Sequence, residues 1–216
     1  MKENYSNMCE EILKKIEKKK KLLLHSCCAP CSSYVITYLT KYFDITILYY
    51  NPNIYPKEEY IKRKKEQIKL IKEIEIKNKL EIIDCDYENE KYQKLIKGFE
   101  TEPEKGKRCN ICYTIRMEKT AIIAKKYNFD YFCTTLSVSP HKNSDLINKI
   151  GKELENKYNI KWLYSDFKKK DGYKKSIELS KKHELYRQDY CGCIYSKTKL
   201  PHIFYQKISC NNNNNC

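Results

Sequence analysis

The chain has 216 residues, twelve of them cysteine, and carries 43 Lys and Arg against 28 Asp and Glu for a formal net charge of +15. That length suits one domain with a sizeable core, and no run reaches the roughly 18 to 20 apolar residues of a membrane span. The first twenty residues mix acids with bases and lack an apolar leader, so the expectation is a soluble, cytoplasmic protein. An intracellular chain of this size has little use for a disulfide framework, and twelve cysteines then point to metal binding or redox chemistry. The positive charge suits a polyanionic partner such as nucleic acid. With only four arginines among the 43 basic residues, a drift of composition towards lysine accounts for it equally well.

Apolar positions at Met8, Ile12, Leu13 and Ile16 predict a short amphipathic helix over residues 8–20, within an N-terminal extension over residues 1–20. KLLLHS reads as a buried parallel strand, and APCSSYVITYLTKYF behind it as a helix with Pro30 near its first turn. The unit repeats. DITILYYNPNIYP is a strand running into an Asn/Pro-rich loop, followed by the charged helix KEEYIKRKKEQIKLIKEIEIK. LEIIDCDY gives a third strand, NEKYQKLIKGFE a short helix, and TEPEKGKR a loop that enters the helix CNICYTIRMEKTAIIAKKYN. DYFCTTLSVSP is a fourth strand with its exit loop, KNSDLINKIGKELENKYN a further helix and IKWLYSD a fifth strand.

Alternation of this kind predicts an α/β fold, a parallel sheet with helices on both faces, with a mostly helical C-terminal part. One α/β domain is expected over residues 21–205, and a low-complexity, disordered tail over residues 206–216, where Cys210 and Cys216 receive no role. Ligands of such sheets bind at the carboxyl ends of the strands, so the loops after strands one, two and four are where a site belongs. Five glycines make neither a GxGxxG fingerprint nor a Walker A loop, which speaks against a nicotinamide site.

Three cysteine clusters stand out: Cys27, Cys28 and Cys31; Cys109 and Cys112; and Cys191 with Cys193. Cys109 and Cys112, three apart on a helix, can present both sulfurs to one centre. Adjacent Cys27 and Cys28 can do so only from the irregular loop past the first strand. Two thiolates from each cluster complete the ligand set of a 4Fe-4S cluster or of a structural zinc. The adjacent pair departs from the CxxC…CxxC of zinc ribbons and favours iron-sulfur. Cys191 and Cys193 suit either a strained, easily reduced disulfide or ligation of a second, mononuclear metal. Isolated Cys9, Cys85 and Cys133 read as core residues, and Cys31 chiefly as helix packing, with spare ligation as its other role.

LLLHSCCAPCSSY, YYNPNIYPKEEYIKR, RCNICYTIRM, TTLSVSPHKN and SDFKKKDGYKKSIELSKKHELYRQDYCGCIYS, in this order over residues 22–196, resemble the cobalamin-independent epoxyqueuosine reductases. The resemblance implies a fold like that of the adenine-nucleotide alpha-hydrolases (HUP-like). It implies reduction of the epoxide of epoxyqueuosine, at the wobble position of tRNA anticodons, to the alkene of queuosine. It also implies a 4Fe-4S cluster on Cys27, Cys28, Cys109 and Cys112, and a redox-active disulfide between Cys191 and Cys193. No cobalamin site is evident.

Loss of the epoxide oxygen as water takes two electrons and two protons, whereas a cluster passes one electron at a time. A dithiol or a second metal, such as a mononuclear iron, beside the cluster completes the pair and polarises the oxygen; the electron donor is not identified. Asp189, Tyr190, His25 and His141 are candidate proton donors. Arg63, Lys142, Lys168, Lys169, Lys170 and Arg187 are candidate tRNA contacts, with Tyr173 stacking on a splayed base. Arg63, Arg108, Arg116 and Arg187 all fall in the motif stretches, which marks either planar forks for phosphate or carboxylate or surface ion pairs. Two rivals remain. An ATP pyrophosphatase of the same fold class needs a glycine-bearing phosphate loop where HSCCAPCSS stands. A zinc-stabilised RNA-binding protein without redox activity keeps the cysteines and the charge.

Overall fold

A computed structural model describes residues 3–76 and 80–197. The elements run α1 (Tyr5–Lys14), β1 (Lys20–His25), α2 (Ala29–Leu39), β2 (Phe43–Tyr49), α3 (Lys57–Glu73), β3 (Glu81–Asp84), α4 (Asn89–Leu95) and α5 (Lys107–Lys126). They continue with β4 (Tyr131–Thr134), a 3-10 turn over Thr135–Val138, α6 (Ser144–Tyr158), β5 (Lys161–Trp162), α7 (Gly172–Lys182) and a second 3-10 turn at Ile194–Ser196. Every strand pairing is parallel, in the order β3-β2-β1-β4-β5. This is the expected α/β architecture.

Leu22, Leu23 and Leu24 are all fully buried because β1 lies at the centre with helices on both faces, so a parallel strand here is a continuous apolar run. Leu24 lies in register with Ile47 of β2 and Cys133 of β4. α2 packs against α3 and α7, while α5 packs against α6, β1 and β4. Right-handed crossovers set these two groups on opposite faces of the sheet. The chain runs outward from β1 through β2 to β3 and then returns to β4 and β5 on the other side. The strand order therefore reverses between β1 and β4, the place where open α/β sheets open a crevice for ligands.

Two boundaries differ from the sequence reading. The N-terminal helix begins at Tyr5, where the Asn4 side chain caps the Asn7 amide at 3.2 Å, and it ends at Lys14. Its Cys9 and Leu13 sit in the same core as the sheet, so this helix packs as a part of the main fold. The fifth strand stops at Trp162, because the backbone at Ser165 is engaged by Asn148 instead of a neighbouring strand. Asn148 Oδ1 accepts from the Ser165 amide at 3.0 Å, and its Nδ2 donates to the Ser165 carbonyl at 2.8 Å. Past α7, residues 183–193 run without helix or strand across the carboxyl edge of the sheet. The predicted tail over residues 206–216 lies outside the described residues. Among those residues no helix is long and apolar enough to cross a membrane.

Candidate metal centre

The loop between β1 and α2 gathers Cys27, Cys28 and Cys31, whose sulfurs all lie within 4.8 Å of one another. Cys28 caps α2 with an extended backbone and Pro30 occupies the first turn, so Cys31 comes round one turn later on the same side. Buried polar contacts hold the loop from both sides of the switch point. The Ser26 amide donates to the Leu48 carbonyl at 2.9 Å, and the Ser26 and Ser32 hydroxyls donate to Gln67 Oε1 at 2.5 and 2.8 Å. From the 3-10 turn after β4, the Thr135 hydroxyl accepts from the Cys27 amide at 3.1 Å and donates to Cys27 Sγ at 3.3 Å. Cys31, read from sequence chiefly as packing, thus presents its thiol beside the other two.

Those three thiols divide one charge. Hydrogen bonds from Cys28 and Cys31 hold the Cys27 thiol well below the usual cysteine range, with Arg116 and Thr135 adding to them against burial. The same bond to Cys27 pushes Cys28 up to about 12, and bonds to Cys27 and Cys28 raise Cys31 as well.

Cys109 and Cys112 lie on the first turns of α5, outside that trio. Arg108 stiffens the approach to this helix, its Nη1 donating to the carbonyls of Phe99, Glu100 and Glu102 at 3.1, 2.7 and 2.6 Å. Cys112 packs with Cys191 and Cys193 in a small apolar cluster walled by Tyr92, Ile96 and Tyr195. Tyr92 Oη is 3.5 Å from Cys193 Sγ, and the Cys191 thiol donates to Ser196 Oγ at 3.0 Å. Both are free thiols in this structure. Burial raises Cys193 to about 11, and burial likewise raises Cys112, with Arg116 acting against it.

The turn that carries the last pair is clamped onto the loop after β2. The Tyr55 amide donates to the Gly192 carbonyl at 2.9 Å, Asn53 Nδ2 to the Cys191 carbonyl at 3.5 Å, and Arg63 Nη2 to the Tyr190 carbonyl at 3.4 Å. Gly192 has φ +102°, and a Cβ there would lie 2.8 Å from Ile54 Cγ1 and 3.0 Å from Arg63 Nη1.

Two cations face the thiols. Burial works against the Arg116 guanidinium, yet Cys112 and Cys27 outweigh it and raise its pKa. Burial also works against Lys142, and facing Cys191, Tyr113, Cys112 and Cys109 outweigh it. The Lys142 ammonium stands 5.7 Å from the Tyr113 ring centre and 3.8 Å from Glu104. The buried Tyr113 hydroxyl has no hydrogen-bond partner among the described residues. Soft sulfur donors, two cations turned towards them and an orphaned hydroxyl fit an anionic metal-thiolate group.

Several expected roles change. Burial first, then Arg116, lowers His25 to about 3, so its ring is neutral and no proton source; it is held by Thr134 Oγ1 at 2.8 Å and the Tyr50 carbonyl at 3.1 Å. The Tyr190 hydroxyl donates to the Tyr55 carbonyl at 3.1 Å and so anchors the loop, while Asp189 and His141 are exposed. Arg63 is only 2% exposed and paired to Glu59 at 2.6 Å, which removes it from the set able to meet phosphate. Lys142 is turned inwards to the thiols. Lys169 and Arg187 are exposed, Arg187 stacking over Tyr173 at 5.5 Å, whereas Lys168 pairs with Asp166 at 2.7 Å and Lys170 with Glu10. Arg108 and Arg116 are buried too, so three of the four arginines serve the architecture of the centre. Arg116 follows Cys112 by one helical turn, the spacing that could have flagged it.

A family model described as epoxyqueuosine reductase QueH matches residues 22–199. A curated relative of that description from Streptococcus pyogenes serotype M1 is 42% identical over 198 residues, covering 89% of this chain and 78% of its own. One from Staphylococcus epidermidis is 42% identical over 203 residues, with 91% and 85% covered. Another from Haemophilus influenzae is 43% identical over 179 residues, with 82% and 71% covered. The chain belongs to the epoxyqueuosine reductase QueH family and is an oxidoreductase.

Proposed function

We propose that this protein reduces the epoxide of epoxyqueuosine in tRNA to the alkene of queuosine, with Cys27, Cys28, Cys109 and Cys112 as ligands of a 4Fe-4S cluster and Cys191 and Cys193 as the redox pair. The observation that carries this reading is a buried guanidinium, Arg116, that faces thiols of both cysteine sets, Cys27 in one and Cys112 and Cys191 in the other, with Lys142 facing Cys191, Cys112 and Cys109. Four thiolates make the centre anionic, and Arg116 and Lys142 offset that charge where water cannot. Cys31, whose sulfur lies with Cys27 and Cys28, is the alternative ligand from the same loop.

The reduction needs two electrons and two protons at the epoxide carbons and oxygen. The two thiols of the Cys191–Cys193 pair supply them in this reading: two S–H bonds break, a disulfide forms, and the oxygen leaves as water while the carbons become the alkene. Cys193 holds its proton, its pKa lying at about 11, so this thiol reaches the substrate as an acid. Lys142 and the unpartnered Tyr113 hydroxyl hydrogen-bond the departing oxygen as it gains charge. Cys27, Cys28, Cys109 and Cys112 would hold the cluster, which would supply one-electron transfer beside the cysteine pair. A nucleotide must leave the anticodon stack to enter so enclosed a centre, and the exposed Lys169 and Arg187 near α7 are the cations for phosphate.

The test is anaerobic incubation of the reconstituted protein with epoxyqueuosine-containing tRNA and a reductant, followed by nucleoside mass analysis. Loss of one oxygen is expected, and an unchanged nucleoside overturns the reading. A colourless protein holding one zinc and binding tRNA without turnover instead supports the zinc-stabilised RNA-binding alternative.

A further inference from the structure

Three separate elements meet at one guanidinium. Arg116 Nη2 donates to Asn51 Oδ1 at 2.6 Å, Nη1 lies 3.7 Å from Cys112 Sγ, and Nε lies 3.4 Å from His25 Nε2. Asn51 in turn donates through Nδ2 to the carbonyl of Ser26 at 2.9 Å, the residue before Cys27. A buried polar path therefore runs from the loop after β1 through Asn51 and Arg116 to Cys112 on α5. It joins one cysteine set to the other. Arg116 is 4% exposed, and its side-chain partners, His25, Cys112 and Asn51, include no carboxylate. An isolated buried charge costs several kcal/mol, of the order that only a facing anion offsets. His25 and Asn51 bring no negative charge, which leaves the Cys112 thiol, 3.7 Å from Nη1, as the neighbour able to answer the charge as a thiolate.

We propose that Arg116 is the positioning residue of the thiol centre: its fork holds the two cysteine sets in register, and its charge compensates the negative charge that the centre takes up on reduction. This rests on the metal-thiolate reading above. Fork and charge separate in two variants. Arg116→Lys keeps the cation and loses the planar, multidentate geometry, while Arg116→Gln loses both. A purely structural role changes stability and leaves the reduction potential alone.

The experiment uses the full chain, reconstituted anaerobically with iron and sulfide, and reads iron and sulfide per chain, thermal midpoint and the reduction potential of the centre by mediated titration. Arg116→Gln is expected to favour the oxidised centre by at least tenfold, a midpoint about 59 mV more negative for a one-electron couple. Arg116→Lys is expected to load less iron and sulfide per chain and to keep the potential of the loaded fraction. Should Arg116→Gln fail to fold, Asn51→Ala takes its place, breaking the path while the charge stays. Loading at the wild-type level by both Asn51→Ala and Arg116→Lys overturns the proposal. So does Arg116→Gln with wild-type potential and iron content beside a wild type that loads normally. A wild type that takes up no iron and sulfide overturns the underlying metal reading, and this inference with it.

Discussion

The loop after β1 and the loop over residues 190–193 both face Arg116 and differ in one proton. In the first, three thiols hydrogen-bond to one another, so one charge is stabilised on Cys27 while Cys28 and Cys31 keep their protons. In the second, each thiol has a hydroxyl neighbour of its own, Ser196 for Cys191 and Tyr92 for Cys193, inside an apolar wall. Burial then keeps Cys193 protonated up to about pH 11. A thiolate is what a metal needs, and a thiol is what a proton-and-electron donor needs. Sharing hydrogen bonds among sulfurs produces the first at Cys27, and burial, acting against the Tyr92 hydroxyl, produces the second at Cys193.

If the two loops divide the work this way, serine substitutions part them most sharply. Cys27→Ser should lose both bound iron and turnover. Cys193→Ser should keep its iron and sulfide and lose turnover altogether, because no disulfide can then form to supply the two electrons. A Cys193→Ser protein that loses its iron would instead make that cysteine a ligand. Gly192→Ala comes next: a side chain at positive φ, against Ile54 and Arg63, should cost about 1–3 kcal/mol, read as a lowered thermal midpoint.

A gentler probe is alkylation of the metal-free protein across pH. Cys27, half-buried and held as thiolate, should react with iodoacetamide at neutral pH, whereas Cys193 should react only as pH climbs towards about 11. The sign follows from the shifts: a depressed pKa exposes thiolate below the ordinary range, and a raised one withholds it. Mass spectrometry reads the order, and its reversal would remove the distinction between the loops. The smallest effect belongs to the surface. Lys169→Ala should weaken tRNA binding a few-fold, flatten the log–log salt dependence by about one, and leave iron content and potential unchanged.

The α/β order was legible because each element announces itself locally, by an apolar run such as Leu22 to Leu24 or by helical spacing such as that along α6. The three cysteine clusters were legible for the same reason, since Cys109 and Cys112 share a helix face whatever surrounds them. Neighbouring sequence carries that information. The helix start at Tyr5 and the end of β5 at Trp162 were less legible, because a cap at Asn4 and the side chain of Asn148 decide them.

Burial of the arginines was not legible at all. Arg63 and Arg116 look alike in a lysine-rich chain until the fold surrounds them, one closing on Tyr190 and the other on Asn51, 127 and 65 residues away. Lys142 turned from a surface cation into a partner of thiols on two other segments in the same way. Residue type and spacing announced sulfur chemistry at the carboxyl edge of a parallel sheet, because both act over a few residues. Which sulfurs share a charge, which keep their protons and which cations face them depend on distance and burial across the switch point, and those exist only once β1 and β4 lie side by side.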